Sequence, residues 1–278
     1  MIAGSAPLAA EVSSPSSPGR WPRFRRVTKY ANADEMNRAA ARWVAHFIQE
    51  AVDTRGSCVF MPSAGRTPMG LYEILRAEYL DAVDWASVTL VQMDEYVGLG
   101  ANDPYSLASC IETHLARPLG IEEFVTFNDD RGRLRQNLTE YEAQISALGG
   151  LDVTLFGIGE NGHLGFNEPG SGLLSPTRVL PLDDRTIHSN FSESPEEGFS
   201  VPENGITVGL PVLLSSRRSL LIASGARKEE AVLNLLGGPV SPEWPATFLR
   251  GQLGAYVMIT DDCVPAGAER ETGARGRT

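Results

Sequence analysis

The chain has 278 residues, 42% apolar and 21% charged, enough for one large or two small domains with a sizeable core. Its formal charge of -11, and the lack of any apolar run near the roughly eighteen residues a membrane span needs, exclude a broadly basic nucleic-acid reader and a membrane-spanning helix. The three cysteines (Cys58, Cys110, Cys263) are far apart and without metal-ligand spacing, and the N-terminus lacks a secretory pattern, so reduced thiols and a cytoplasmic location are expected.

Residues 1–23 are rich in Ser, Pro, Ala and Gly without periodicity and read as a disordered extension. A transit peptide is the alternative, which Glu11 and the prolines oppose. A first strand is expected over residues 26–30, then an amphipathic helix over 33–52 with Met36, Ala40, Trp43, Phe47 and Ile48 on one face. A short buried strand at 58–61 leads into Ser63, Ala64, Gly65, Arg66 and Thr67, and a helix over 69–79 for which Thr67 is the expected N-cap with Pro68 at the first helical position. Small residues ahead of a helix N-terminus let backbone NH groups approach a phosphate, although a plain capped helix explains this segment taken alone.

The next buried strand, 88–93, delivers Asp94 and Glu95 directly at its end, so at least one carboxylate is expected to face the crevice at the sheet's carboxyl edge. Helices are expected over 104–116 and 131–147, with a strand at 124–127 between them. His46 and His114 lie on helices, where structural roles suffice.

Residues 151–171, LDVTLFGIGENGHLGFNEPGS, form the segment around which the rest is organised. An apolar strand runs into Gly157, Gly159, Gly162 and Gly165, and the loop holds Asn161, His163, Asn167 and Glu168 before Pro169-Gly170 turns the chain. Gly157, Gly159 and Gly162 match the dinucleotide fingerprint, but no helix start follows and the segment lies past mid-chain, so a nucleotide site is not expected. A structural glycine turn is the plainer alternative to a binding loop.

A strand is expected at 177–180, and 183–205 is polar and weakly patterned, as lids and ordinary surface loops both are. An ordered unit at 206–214, a buried strand at 219–223 ending at Ser224-Gly225-Ala226-Arg227-Lys228, a helix to 236, a last strand at 252–259 and a loose tail from 266 complete the chain. Strands alternating with helices imply an α/β fold with a mostly parallel sheet, whose carboxyl ends would bring Ser63–Thr67, Asp94-Glu95, 161–168 and Arg227-Lys228 to one crevice.

PSAGRTPMGLY, QMDEYVGL, GIGENGHLGFNEPGS, NGITVGL and SGARK occur in the order and approximate spacing of the glucosamine-6-phosphate deaminase (isomerase) family, which the chain resembles over about residues 27–263. The 6-phosphogluconolactonases are more distant relatives. The resemblance implies an open three-layer α/β sandwich with a Rossmann-like sheet over residues 24–265 and a lid at about 183–205. It implies conversion of glucosamine 6-phosphate and water into fructose 6-phosphate and ammonium, with no metal and no cofactor. Asp94 would move a proton between C2 and C1, and His163, held by Glu168 and Asn161, would open the ring. Ser63, Ala64, Gly65, Arg66, Thr67 and Lys228 would hold the phosphate. The partner implied is a small sugar phosphate, with room for a homo-oligomer.

The chain departs from the family pattern at several positions. Asn161 stands where some members have a titrating Asp. Ala64 and Arg66 replace more usual Thr or Ser and Gly, and an arginine that some members use on the phosphate finds only Ser192, a role Arg66 can take. Ser171 and Arg178 alone match the effector site of the allosteric members, so allostery is not carried over. Lactone hydrolysis and a non-catalytic sugar-phosphate sensor are the competing functions.

Overall fold

The structure is a computed structural model and describes residues 26–100, 103–127, 134–191 and 199–264. The expected N-terminal extension, the tail from 266, the start of the helix expected from 131, and Ser192 lie outside these residues.

Apolar strands buried on both faces build the centre. β1 (Val27–Tyr30), β2 (Cys58–Met61), β3 (Val88–Val91), β5 (Glu123–Val125), β6 (Val153–Phe156), β9 (Arg218–Ala223) and β10 (Ala255–Thr260) form one sheet in the order β1-β10-β9-β6-β2-β3-β5, every pairing parallel. Because successive side chains point to opposite faces, Cys58 and Phe60 enter one core and Val59 and Met61 the other. Helices α1 (Ala33–Arg55) and α2 (Met69–Glu78) cover the first face, with α3 (Leu107–Ile111) continuing through a wide turn at Glu112–Ala116 into α4 (Arg117–Leu119). Helices α5 (Leu134–Ala147), α7 (Leu210–Leu213) and α8 (Glu229–Gly237) cover the second. Each fully buried side chain of the Phe60 or Leu155 type contributes about 1.5–3 kcal/mol of transfer free energy. The architecture is the expected open three-layer α/β sandwich.

Asn32 caps α1 through its side chain, accepting from Glu35 N at 3.0 Å. The expected Thr67 cap of α2 is absent. Pro68 adopts a helical conformation (φ -81°, ψ -5°), and the amide of Met69 closes a turn on the Arg66 carbonyl at 3.3 Å, so the chain winds before Thr67 can serve as cap. Among the described residues no side chain caps the start of α2.

A second sheet, not foreseen in the sequence, positions the acidic pair. The strand expected to reach Met93 ends at Val91, and the chain turns so that Asp94–Tyr96 forms β4. This strand pairs antiparallel with β8 (Asn204–Thr207), which pairs antiparallel with β7 (Arg178–Pro181). The segment expected as weakly patterned, 183–205, therefore opens with helix α6 (Asp184–Phe191) and closes in β8. Tyr96, Phe166 and Leu182 form a small separate core beneath α6, with Ile187 and Phe191 packed on it.

The adjacent carboxylates of β4 diverge as a two-residue period requires. Glu95 is buried and accepts from Gln92 Nε2 (2.8 Å), Tyr96 N (2.8 Å), Ser106 Oγ (2.7 Å), Leu107 N (3.0 Å) and Ala108 N (3.0 Å). The last two amides belong to the first turn of α3, where a negative charge is favoured. Glu95→Gln places an NH2 group among these donors and is expected to destabilise the protein by about 2–4 kcal/mol in urea unfolding, mostly the cost of donors left without an acceptor. A loss under about 0.5 kcal/mol would show that the carboxylate is not an anchor.

Candidate active site

The order of the central sheet reverses between β2 and β6, and ligand crevices in such sheets open outside the carboxyl ends of the strands at that point. A cleft of about 710 Å³ lies there, lined by Ser63–Thr67 after β2, Asp94 of β4, residues 157–166 after β6 and Ser224–Lys228 after β9. All four loops singled out in the sequence converge on it. Ser63, Ala64, Gly65, Arg66, Thr67, Asp94, Asn161, His163 and Lys228 line its wall, whereas Glu168 stands behind His163.

Asp94 and Glu95 have opposite fates. Asp94 lines the cleft and makes no ion pair with the described residues, and its carboxyl is pushed up to about 7, first by burial and then by the negative charges of Glu95 and Glu168. The backbone of Gly165 passes close beside it: a Cβ there would lie 3.4 Å from Asp94 Oδ2 and 3.0 Å from Thr207 Oγ1, at a φ of +56°. A glycine allows both the left-handed turn and the close approach.

His163 is fixed from behind. Its Nδ1 is 3.1 Å from Glu168 Oε2, and the same oxygen accepts from Asn161 Nδ2 at 2.7 Å. Asn161 Oδ1 accepts from the His163 amide at 3.3 Å, so Asn161 braces Glu168 and the loop and reaches the ring only through the carboxylate. With an acceptor carboxylate at Nδ1, that nitrogen carries the proton, and Nε2 is left for the cleft. Burial pushes the Glu168 carboxyl up, but the hydrogen bond and charge of His163, with the Thr186 and Asn161 hydrogen bonds, outweigh it and leave the group below its ordinary value. The imidazole lies flat over Gly159, where an added Cβ would meet three ring atoms at 2.5–2.6 Å.

The other end of the cleft is cationic. Lys228 is half-buried just before α8; its amide donates to the Gly225 carbonyl at 3.0 Å, and its ammonium makes no hydrogen bond or ion pair with the described residues. Burial, first, pushes its ammonium down; Glu160 opposes this, while Arg227 and Arg66 add to it, so these cations share one end of the cleft. Arg66 is exposed and donates to the Ser189 carbonyl of α6 at 3.1 Å. Ser63 is buried, and its hydroxyl has no partner among the described residues. Among those residues no group of three or more His, Cys, Asp or Glu is placed to hold a metal ion.

Arg178 donates to Ser171 Oγ (2.6 Å), Asn167 Oδ1 (2.9 Å) and the Pro176 carbonyl (3.0 Å), so the Ser171 and Arg178 pair ties β7 to the central loop. The sequence reading missed Glu160, which pairs with Arg227 at 3.4 Å, and α6, which brings Thr186, Ser189 and Asn190 to the cleft. The signal for α6 was present, because Asp183 caps it by accepting the Arg185 amide at 2.9 Å.

Residues 31–258 match the family model described as glucosamine-6-phosphate isomerases/6-phosphogluconolactonase. A glucosamine-6-phosphate deaminase of Clostridium perfringens is 33% identical over 241 residues, 85% of this chain and 96% of the relative. Glucosamine-6-phosphate deaminase 1 of Bacillus subtilis is 34% identical over 237 residues, 84% of this chain and 96% of the relative. The solved structure of a monomeric glucosamine-6-phosphate deaminase superposes with a TM-score of 0.79 at 32% identity, covering 86% of this chain and 98% of that one. A 6-phosphogluconolactonase from Leishmania guyanensis shares the fold at a TM-score of 0.69 and 21% identity, covering 87% of this chain and 98% of that one. By this extent of likeness, the chain belongs to the glucosamine-6-phosphate isomerase/6-phosphogluconolactonase family.

Proposed function

We propose that the chain is a glucosamine-6-phosphate deaminase, isomerising glucosamine 6-phosphate and, with water, releasing fructose 6-phosphate and ammonium. The observation that carries this reading is the division of one cleft into an unpaired carboxylate, a carboxylate-backed imidazole and a cationic end. Its family and its deaminase relatives, which it covers almost end to end, support the same reaction.

In this reading the phosphate is held by Lys228, Arg66, the Ser63 hydroxyl and the uncapped first turn of α2, which takes negative charge favourably. His163 Nε2 passes a proton between the C1 hydroxyl and the ring oxygen, which opens the sugar to its aldehyde. Asp94 then removes the C2 proton, a proton shifts from the nitrogen to the aldehyde oxygen, and Asp94 returns the first proton to C1. The double bond shifts to C2 and nitrogen, and water hydrolyses that imine to the ketone and ammonium. A carboxyl titrating near 7 suits this step, because a base is most effective when its pKa lies near the working pH. Glu168 and Asn161 hold the imidazole in the tautomer that leaves Nε2 facing the sugar.

We take residues 24–265 as one domain, with the α6 segment as the part that closes over a bound sugar. A cytoplasmic location agrees with the unpaired state of Cys58, Cys110 and Cys263.

The direct test is ammonium release from glucosamine 6-phosphate, run beside galactosamine 6-phosphate and 6-phosphogluconolactone. Release from the gluco epimer is expected, with kcat/KM falling about tenfold per pH unit well below pH 7, because Asp94 is protonated there and cannot act as a base. Lactone hydrolysis without ammonium release would replace the proposal. Lys228→Ala is expected to raise KM for the phosphorylated sugar by about tenfold or more while leaving weak turnover of unphosphorylated glucosamine unchanged. Equal losses on both sugars would reduce Lys228 to a surface charge.

A further inference from the structure

Helix α6 is polar on its outer side, and Thr186 is its single buried residue, 3% exposed. A position facing inward from a surface helix usually carries an aliphatic side chain, and a buried hydroxyl has to find partners. Thr186 Oγ1 lies 3.2 Å from His163 Nδ1 and also hydrogen-bonds Glu168. With Nδ1 protonated, the ring N–H is shared between Glu168 Oε2 and the threonine oxygen, and the hydroxyl hydrogen goes to the carboxylate. The ring N–H and Glu168 Oε2 are then satisfied, while Glu168 Oε1 has no hydrogen-bond partner among the described residues. If the ring proton moved to Nε2, the Nδ1 lone pair would face the carboxylate and the arrangement would fail.

Most of what joins α6 to the rest of the molecule is also part of the cleft. Arg66 of the phosphate-end loop donates to the Ser189 carbonyl, the Tyr96 hydroxyl hydrogen-bonds Asn190, and Phe191 packs 5.0 Å from the Tyr96 ring. The small core beneath the helix is separate from the two that flank the main sheet. The helix can therefore leave or seat without disturbing the main fold, and seating it delivers one hydroxyl to the His163–Glu168 pair.

We propose that Thr186 is a positioning residue, completing the His163–Glu168 pair and fixing the imidazole tautomer only when α6 is seated on the cleft. The inference rests on the ring-opening role given to His163 above. It places part of the acid–base machinery on the covering helix, so an uncovered cleft would hold a less well-oriented imidazole.

The test compares Thr186→Val, which keeps shape without the hydroxyl, with Thr186→Ser, which keeps the hydroxyl. Thr186→Ala serves as a second hydroxyl-free variant if Val lowers the folded fraction. Steady-state ammonium release is read together with the 15N shifts of the His163 ring in substrate-free protein. Val is expected to lower kcat about tenfold with KM within about threefold, and Ser to stay within about threefold of the parent. The His163 nitrogens should move toward a tautomer mixture in the Val variant alone. Unchanged kcat and ring shifts in Val, equal damage in Ser, or a rise in KM alone would overturn the proposal. If the parent protein releases no ammonium, the reaction assigned above fails, and the ring shifts still decide the role of Thr186: unchanged shifts in Val and Ala overturn it.

Discussion

The site depends on the fact that two adjacent residues of an extended strand cannot face the same way. β4 is three residues long, and its direction is fixed by pairing with β8 and by the five donors that hold the Glu95 carboxylate. With Glu95 committed to the start of α3, Asp94 has only the cleft to face. The same geometry tunes it, since a fixed anion one residue away and burial at the cleft floor both favour the protonated form of Asp94. One buried carboxylate thus sets the direction of its neighbour and adds to the effect of burial on its basicity.

The remaining chemistry is distributed by the parallel sheet. Strands β2, β6 and β9 point the same way, so their loops open at the same edge and bring the Ser63–Thr67 loop, the His163 loop and Lys228 to one cleft. The formal charge of -11 gives no hint of this, because the sign of the pocket is set locally by Lys228, Arg66 and Arg227. In the proposed reaction the carboxylates gather where protons would be moved and the cations where an anion would be oriented, which keeps the phosphate from neutralising the base.

Much of this was legible in the sequence because it is local. The buried strands at 58–61 and 219–223 declare themselves as apolar runs, and the loops that follow are marked by glycine and by polar side chains that a turn alone does not need. What was not legible is long-range. β4 and β8 are three and four residues long and acquire their identity only from pairing such as Asp94 with Thr207, so no periodicity announces them, and the strand expected at 177–180 formed as β7 without its place in a second sheet being readable. Helix α6 escaped because its one buried position is a threonine and only Ile187 and Phe191 mark its inner face, too short an apolar stripe to read. Thr67 failed as a cap although the Thr-Pro signal is a good one, because the Arg66 carbonyl captured the Met69 amide first.

The central claim is that Asp94, and not Glu95, carries a proton between adjacent carbons of the substrate. It is tested most directly by turning over glucosamine 6-phosphate in deuterium oxide and reading C1 of the fructose 6-phosphate by NMR. Deuterium is expected at C1 with the parent protein, since a carboxylic acid exchanges with solvent. Asp94→Asn is expected to lose the label together with turnover, by about a hundredfold or more. Product that carries no solvent deuterium, or an Asp94→Asn variant that labels C1 at a rate near that of the parent, would contradict the account.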